Sequence, residues 1–192
     1  MTRILDLTMS LGDPRLRLPQ AMNVPLVSVE PIHVHSRDGR SNTKVSFWTH
    51  TGTHIDPPYH FVEDGSTIDE VPLERLVGKA VRIDLRPIVR ERTPITAAQI
   101  EERGYRKKDV ASRIAVLQSG WLERKFGTPE YTVDYPWYDV SVAEWLVDAG
   151  ANAVVVDTYI DHVEAPRPGD AGSSTPHRHR RRPTPAPPAS SG

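Results

Sequence analysis

Three histidines and one aspartate fall within eleven residues, His50-Thr51-Gly52-Thr53-His54-Ile55-Asp56-Pro57-Pro58-Tyr59-His60. Imidazole nitrogens and carboxylate oxygens are donors that proteins offer to divalent transition ions. The chain contains no cysteine, which excludes disulfides, thiolate-bound zinc and cysteine nucleophiles together, so any metal must sit on side chains of this kind. A helical reading of the segment fails: Thr51, Thr53 and Ile55 are β-branched, Gly52 interrupts, and Pro57-Pro58 cannot continue a helix. In an extended chain alternate side chains share a face, so His50, Gly52, His54 and Asp56 point together. At ~3.3 Å per residue, His54 and Asp56 are about 7 Å apart at Cα, whereas His50 stands about 13 Å from His54 unless the chain bends. Gly52 is the residue able to bend it, and its missing side chain leaves room for an ion. Pro57-Pro58 stiffens the exit and sets the direction of His60, an imidazole suited to moving protons near neutral pH. A zincin-type site is excluded, because Thr51 stands where that motif requires Glu after its first His. His33, His35, His162, His177 and His179, taken singly, read as ordinary surface or core residues.

The elements that must position this segment are short. Ile4–Thr8 reads as an opening strand, followed by a loop punctuated by Gly12, Pro14 and Pro19. Residues 44–50 and 80–85 alternate polar with apolar side chains, the period of half-buried strands. Ile114–Leu117 and Ala153–Val156 are continuous apolar runs, suited to strands buried on both faces. Two helices are marked by capping boxes, Thr96-Ala-Ala-Gln99 and Ser141-Val-Ala-Glu144, with Gly104 and Gly150 placed to close them. In the second, Val142, Trp145, Leu146 and Ala149 form one apolar face for packing on a sheet. The expected class is α/β, a mixed sheet with flanking helices.

A chain of 192 residues with 38% hydrophobic and 26% charged content and a formal net charge of -1 fits one globular domain. It has no global field that would attract nucleic acid or an acidic membrane. No apolar run approaches the ~18 residues of a membrane span, and the expected setting is cytoplasmic. The domain is expected over residues 1–165. Residues 166–192 hold 7 of the chain's 18 prolines and no Leu, Ile, Val, Phe, Trp or Tyr, the composition of a disordered tail. Its Arg178 and Arg180–Arg182 lack the interleaved aromatics of a nucleic-acid arm.

The segment from His50 to Phe61 resembles the His-x-Gly-Thr-His-x-Asp-x-Pro-x-His signature of the cyclase-like metal-dependent hydrolases, the family of bacterial kynurenine formamidase and isatin hydrolase. Ile4–Thr8, Leu76–Asp84, Leu117–Trp121 and Ala149–Thr158 resemble further family segments, so the likeness runs over roughly residues 3–162. It implies a swivelling β/β/α-type cyclase fold, homo-oligomeric, that hydrolyses an amide or lactam with one or two Zn2+ or Mn2+ ions. On this resemblance His50, His54 and Asp56 match metal ligands, with Asp56 in the position that bridges two ions, and His60 matches the general acid/base. The implied activity is arylformamidase-like, on N-formylkynurenine or a related aryl amide, in tryptophan catabolism by the kynurenine pathway. Such chemistry uses the ion to activate water and polarise the carbonyl while an imidazole protonates the leaving nitrogen.

Two departures bear on that expectation. Arg15-Leu-Arg-Leu-Pro19 stands where family members often carry an aromatic residue before Pro-Gly to hold an aromatic substrate. The family's C-terminal His and Glu ligands also have no evident counterpart, leaving His177, His179 and Glu164 as possible replacements. The Arg-, Pro- and Ala-rich tail has the composition that GC-rich DNA encodes in a shifted frame, which sequencing the gene tests. The alternative expectation is therefore a catalytically impaired member that acts only as a binding or assembly subunit.

Overall fold

A computed structural model describes residues 3–16 and 27–159. The elements, in chain order, are β1 (Val27–His33), α1 (His35–Asp38), β2 (Asn42–Phe47), β3 (Ala80–Asp84), β4 (Pro94–Ile95), α2 (Ala97–Glu102), α3 (Lys107–Val110), β5 (Ile114–Gln118), α4 (Trp121–Lys125), α5 (Glu130–Val133), β6 (Trp137–Tyr138), α6 (Val140–Ala149) and β7 (Ala153–Val156). The proposed tail at 166–192 lies outside the described residues.

The centre of the fold is a parallel sheet of order β3-β5-β7, in register Ile83↔Leu117 and Leu117↔Val156. Parallel neighbours need crossover connections, and the helices between the strands supply them. Ile83, Ala115 and Leu117 on the sheet, with Leu85 just after β3, meet Val142, Trp145 and Leu146 on α6 to form one buried core, with Ile100 and Val110 from α2 and α3. Each buried Val, Leu or Ile side chain among them contributes about 1.5–3 kcal/mol by leaving water. The Trp145 indole N–H donates to Glu101 Oε1 at 2.9 Å, so the large ring is buried without an orphaned donor.

At the carboxyl end of the sheet, Asp157 ties strand to helix. Its Oδ1 accepts from the Ser119 N–H at 2.8 Å and the Ser119 hydroxyl at 2.5 Å, and its Oδ2 accepts from the Gly120 N–H at 2.6 Å. The carboxylate thus receives three donors from the turn that leads into α4.

The second sheet is the antiparallel β1–β2 hairpin, with Val27↔Phe47, Val29↔Val45 and Glu30↔Lys44 facing each other. The sequence reading did not identify β1, although Val27-Ser28-Val29-Glu30 alternates; Pro31 demotes the run to an edge strand, which is what the hairpin is.

Several local expectations are corrected. Ile4–Thr8 is not a strand; it finds no neighbour to pair with among the described residues, and Ile4 is 90% exposed. β2 stops at Phe47, short of His50, because the chain turns there. β7 is not buried on both faces: it is an edge strand with Val154 and Val155 about half exposed. The capping box at Thr96 forms as expected, with Thr96 Oγ1 accepting from the Gln99 N–H at 3.3 Å. The cap of α6 is Asp139, whose carboxylate accepts from the Ser141 N–H at 2.9 Å, so Ser141 lies inside the helix. The helix therefore starts two residues earlier than the Ser141 box implied, and the Ser141 hydroxyl instead accepts from the Ala97 N–H at 3.2 Å. Gly150 closes α6 in the left-handed conformation, φ 68°. No helix among the described residues is long and apolar enough to cross a membrane.

Candidate metal centre

The 50–60 segment begins where β2 ends, in a chain of bends from Thr49 to Thr53. Gly52 takes φ +65°, a conformation that L side chains rarely adopt. A Cβ at this position would stand 3.1 Å from Leu11 Cδ2, with Met9 and Leu16 also close, so the bend is pressed against the N-terminal loop. The Met9 N–H donates to Thr53 Oγ1 at 3.0 Å and ties the same two segments together. Thr51, between two candidate ligands, is buried.

Beyond Asp56, Pro57 is extended and Pro58–His60 forms a single 3-10 turn with Pro58 at its start. The His60 N–H donates to the Pro57 carbonyl at 2.9 Å, and the Tyr59 N–H donates to the Ser66 carbonyl at 3.1 Å. Gly65 is packed so closely on this turn that a Cβ there would meet the Pro58 carbonyl carbon at 2.7 Å. The turn carrying His60 is therefore held from both sides.

All four predicted site residues converge. His50 Nδ1 lies 2.8 Å from Asp56 Oδ1 and 3.2 Å from His54 Nε2, and His54 Nε2 lies 3.3 Å from Asp56 Oδ1. The His60 ring lies against that of His50, with centroids 4.2 Å apart and planes tilted by 39°, and against that of Phe61 at 4.1 Å. His50, Asp56 and His60 also offer donor atoms within 4.8 Å of one another, so the His60 imidazole stands within reach of the same centre.

The donor set fits a divalent ion. Ligand bonds of about 2.0–2.2 Å at tetrahedral or octahedral angles separate neighbouring donors by roughly 3.0–3.5 Å, the range of two of the three edges, with the third a little shorter. Two imidazoles and a carboxylate are suitable for zinc and for manganese. His54 is also oriented from behind: its Nδ1 lies 2.9 Å from the Gly52 carbonyl oxygen, so that nitrogen carries the proton and Nε2 keeps its lone pair for the triangle. The type-and-spacing reading did not identify this backbone partner, because a carbonyl leaves no signal in a pattern of side chains.

The side chains are partly open to solvent, His50 at 38%, His54 at 30% and Asp56 at 26%. Next to the bend, the loop bearing Met9 and α4 enclose a groove of about 390 Å³ lined by Met9, Ser10, Asp13, Arg15, Leu122, Glu123 and Phe126. The Arg15 guanidinium lies 4.6 Å from the Phe126 ring centroid, and its hydrogen bonds hold the Asp13 carboxyl down at about 2. Glu164, His177 and His179, the possible replacement ligands, lie outside the described residues.

Comparison with known proteins gives this geometry its family. The fold is similar to that of isatin hydrolase A from Labrenzia aggregata, solved with bound benzyl benzoate: the TM-score is 0.65 at 24% identity, covering 81% of this chain and 68% of that one. Among curated proteins, the chain is 46% identical over 37 residues to a kynurenine formamidase of Salinibacter ruber, and 45% identical over 42 residues to one of Bacillus cytotoxicus. These matches take in 19% and 22% of this chain and span only 18% and 20% of the two formamidases. A family model described as "Putative cyclase" matches residues 5–161, the whole span that holds the parallel sheet and the His50–His60 site, and the chain belongs to that family.

Proposed function

We propose that the chain is a cytoplasmic metal-dependent amide hydrolase, arylformamidase-like, acting on N-formylkynurenine or a related aryl amide or lactam. The observation that carries this reading is the donor triangle of His50 Nδ1, His54 Nε2 and Asp56 Oδ1, with edges of 2.8, 3.2 and 3.3 Å and the His60 ring against that of His50. In the proposal these three residues hold zinc or manganese, as one ion or as the first of two. A divalent ion so bound supplies Lewis acidity towards a carbonyl and lowers the pKa of water.

The remaining roles belong to the chain. His54 presents Nε2 because Nδ1–H is engaged by the Gly52 carbonyl. Asp56 brings negative charge to two imidazoles and favours their holding a cation. His60 stands outside the triangle on a turn fixed by Pro58 and Gly65, where its imidazole can take a proton from water and return it to the leaving nitrogen. The groove beside Met9 and Phe126 has the size of a small-molecule site and an aromatic wall, and the Arg15 guanidinium that lines it is paired with the Asp13 carboxylate at 2.6 Å.

The test joins metal content to turnover. Purified chain should contain about one divalent ion or more per subunit and hydrolyse an aryl formamide, and chelation should abolish both. Turnover indifferent to chelator overturns the reading. A second reading is the impaired member that lacks the family's C-terminal His and Glu ligands and acts only as a binding or assembly subunit. It predicts sub-stoichiometric metal and no hydrolysis.

A further inference from the structure

The backbone from His50 to Asp56 belongs to no helix or sheet. A site carried on a loop keeps its geometry only when its neighbours lock it. The neighbour here is the loop of residues 9–16. Its Met9 N–H donates to Thr53 Oγ1 at 3.0 Å, and a Cβ on Gly52 would stand 3.1 Å from Leu11 Cδ2 and 3.9 Å from Leu16 Cδ1. The loop is folded into two successive turns, with the Asp13 N–H donating to the Ser10 carbonyl at 3.1 Å and the Leu16 N–H to the Asp13 carbonyl at 3.0 Å. It presses on the bend at Gly52 and therefore needs a hold at its other end.

Arg15 supplies that hold. The Asp13 carboxylate accepts from the Arg15 backbone N–H at 2.9 Å, from Nε at 3.0 Å and from Nη2 at 2.6 Å, which fixes the plane of the guanidinium. The same group lies 4.6 Å from the Phe126 ring centroid, and its stem packs on Gly127, where a Cβ would meet Arg15 Cδ at 2.9 Å. Phe126 rests edge-on against Tyr131, with ring centroids 5.5 Å apart. It follows α4, which is tied to the parallel sheet: the Leu122 N–H donates to the Asp157 carbonyl at 3.1 Å and the Gly120 N–H to the Asp157 carboxylate at 2.6 Å. A continuous run of contacts thus leads from the sheet through α4, Phe126 and Arg15 to the Gly52 bend. Only a planar guanidinium can fork onto a carboxylate and lie on a ring at once.

We propose that Arg15, clasped between Asp13 and Phe126, is a positioning residue that holds the His50–His54 bend in shape and so sets the affinity of the centre for its ion. It acts through Met9, Leu11 and Leu16 and is not itself a ligand. The inference rests on the reading of His50, His54 and Asp56 as metal ligands.

Zinc affinity of the purified full chain, measured by chelator competition, tests it. Arg15→Ala and Phe126→Leu should each weaken zinc binding about three- to tenfold, the scale of a cation–π contact with an exposed ion pair. The double variant should bind no more weakly than Arg15→Ala, because both changes break one clasp. Phe126→Tyr keeps the ring face and should bind as wild type. Arg37→Ala, which removes a similar exposed pair with Asp38 on the β1–β2 hairpin, should also leave the affinity unchanged. Wild-type affinity in folded Arg15→Ala overturns the proposal, as do losses that multiply in the double variant. Amide exchange of the metal-free chain gives a second reading. In Arg15→Ala the amides of Met9 and Leu16 should exchange faster while those of residues 115–118 keep their rates, and unchanged exchange at Met9 overturns the proposal. This reading needs no ion, so it decides the clasp even where wild-type chain takes up no zinc, a result that overturns the hydrolase reading alone.

Discussion

His54 Nδ1 lies 2.9 Å from the carbonyl oxygen of Gly52, two residues before it, so the bend that brings the site together also orients one of its imidazoles. The left-handed backbone at Gly52, φ +65°, permits both. A Gly52→Ala chain must relax this turn or push Leu11 away, at about 1–2 kcal/mol for the left-handed conformation. Metal affinity should fall about tenfold to a hundredfold, as for loss of an outer-shell partner. Chelator competition measures the affinity and thermal unfolding the stability; unchanged affinity would show that the Gly52 carbonyl does not orient His54.

His60 and Asp56 should separate in their effects. Asp56→Ala removes an edge-forming donor of the triangle and should abolish stoichiometric metal. His60→Ala should keep the metal and lower turnover about a hundredfold to ten-thousandfold, the range for removing a general acid/base. Equal loss of metal in both variants would make His60 a ligand instead.

Gly65 supports the His60 turn by close contact, and its N–H donates to the Val62 carbonyl at 2.8 Å. A methyl group there would meet backbone atoms of Pro58 and Tyr59 at 2.7–2.9 Å, which are not the ends of flexible side chains. Gly65→Ala should destabilise the chain by about 1–3 kcal/mol, as overpacking does, and should lower turnover more than metal content. Thermal unfolding together with metal analysis checks both, and wild-type stability would refute the contact.

Alkaline pH should unfold the protein through its tyrosines. Burial pushes the Tyr131 hydroxyl up to about 12, with the Asp157 carboxylate adding to it, and burial also raises Tyr138 and Tyr159. An unfolded tyrosine ionises near 10, so above that pH the unfolded chain has released protons that the folded chain still binds. Stability from these groups is thus fully present below about pH 10 and is lost as pH rises towards 12. Tyrosinate absorbance should rise late and together with loss of circular dichroism; early ionisation in the folded protein would show that the rings are accessible.

Acid should act oppositely at Asp13. The Arg15 hydrogen bonds hold its folded pKa at about 2, below the ordinary carboxylate value, so its contribution is present above about pH 4 and is lost as pH falls towards 2. Because the pair is exposed, the effect should be small and salt-sensitive. Comparing acid unfolding of wild type and Arg15→Gln at low ionic strength measures it, and identical profiles would count against the pair.

By itself, the sequence determined what kind of chemistry the chain could do and where. Residue type named the donors, the absence of cysteine removed the rivals, and Gly52 with Pro57-Pro58 marked the bends that let His50, His54, Asp56 and His60 meet. Strands 80–84, 114–118 and 153–156 and the apolar face of α6 were legible for the same reason, since local periodicity reports burial. Long-range partners are not local properties. That Ile4–Thr8 pairs with nothing described, that β7 lies at an edge, that Asp139 caps α6, and that Leu11 and Pro58 press on Gly52 and Gly65 were decided only when distant segments met. The same holds for the Gly52 carbonyl behind His54: spacing placed the ligands on one face, but only the folded backbone turned an oxygen onto the imidazole.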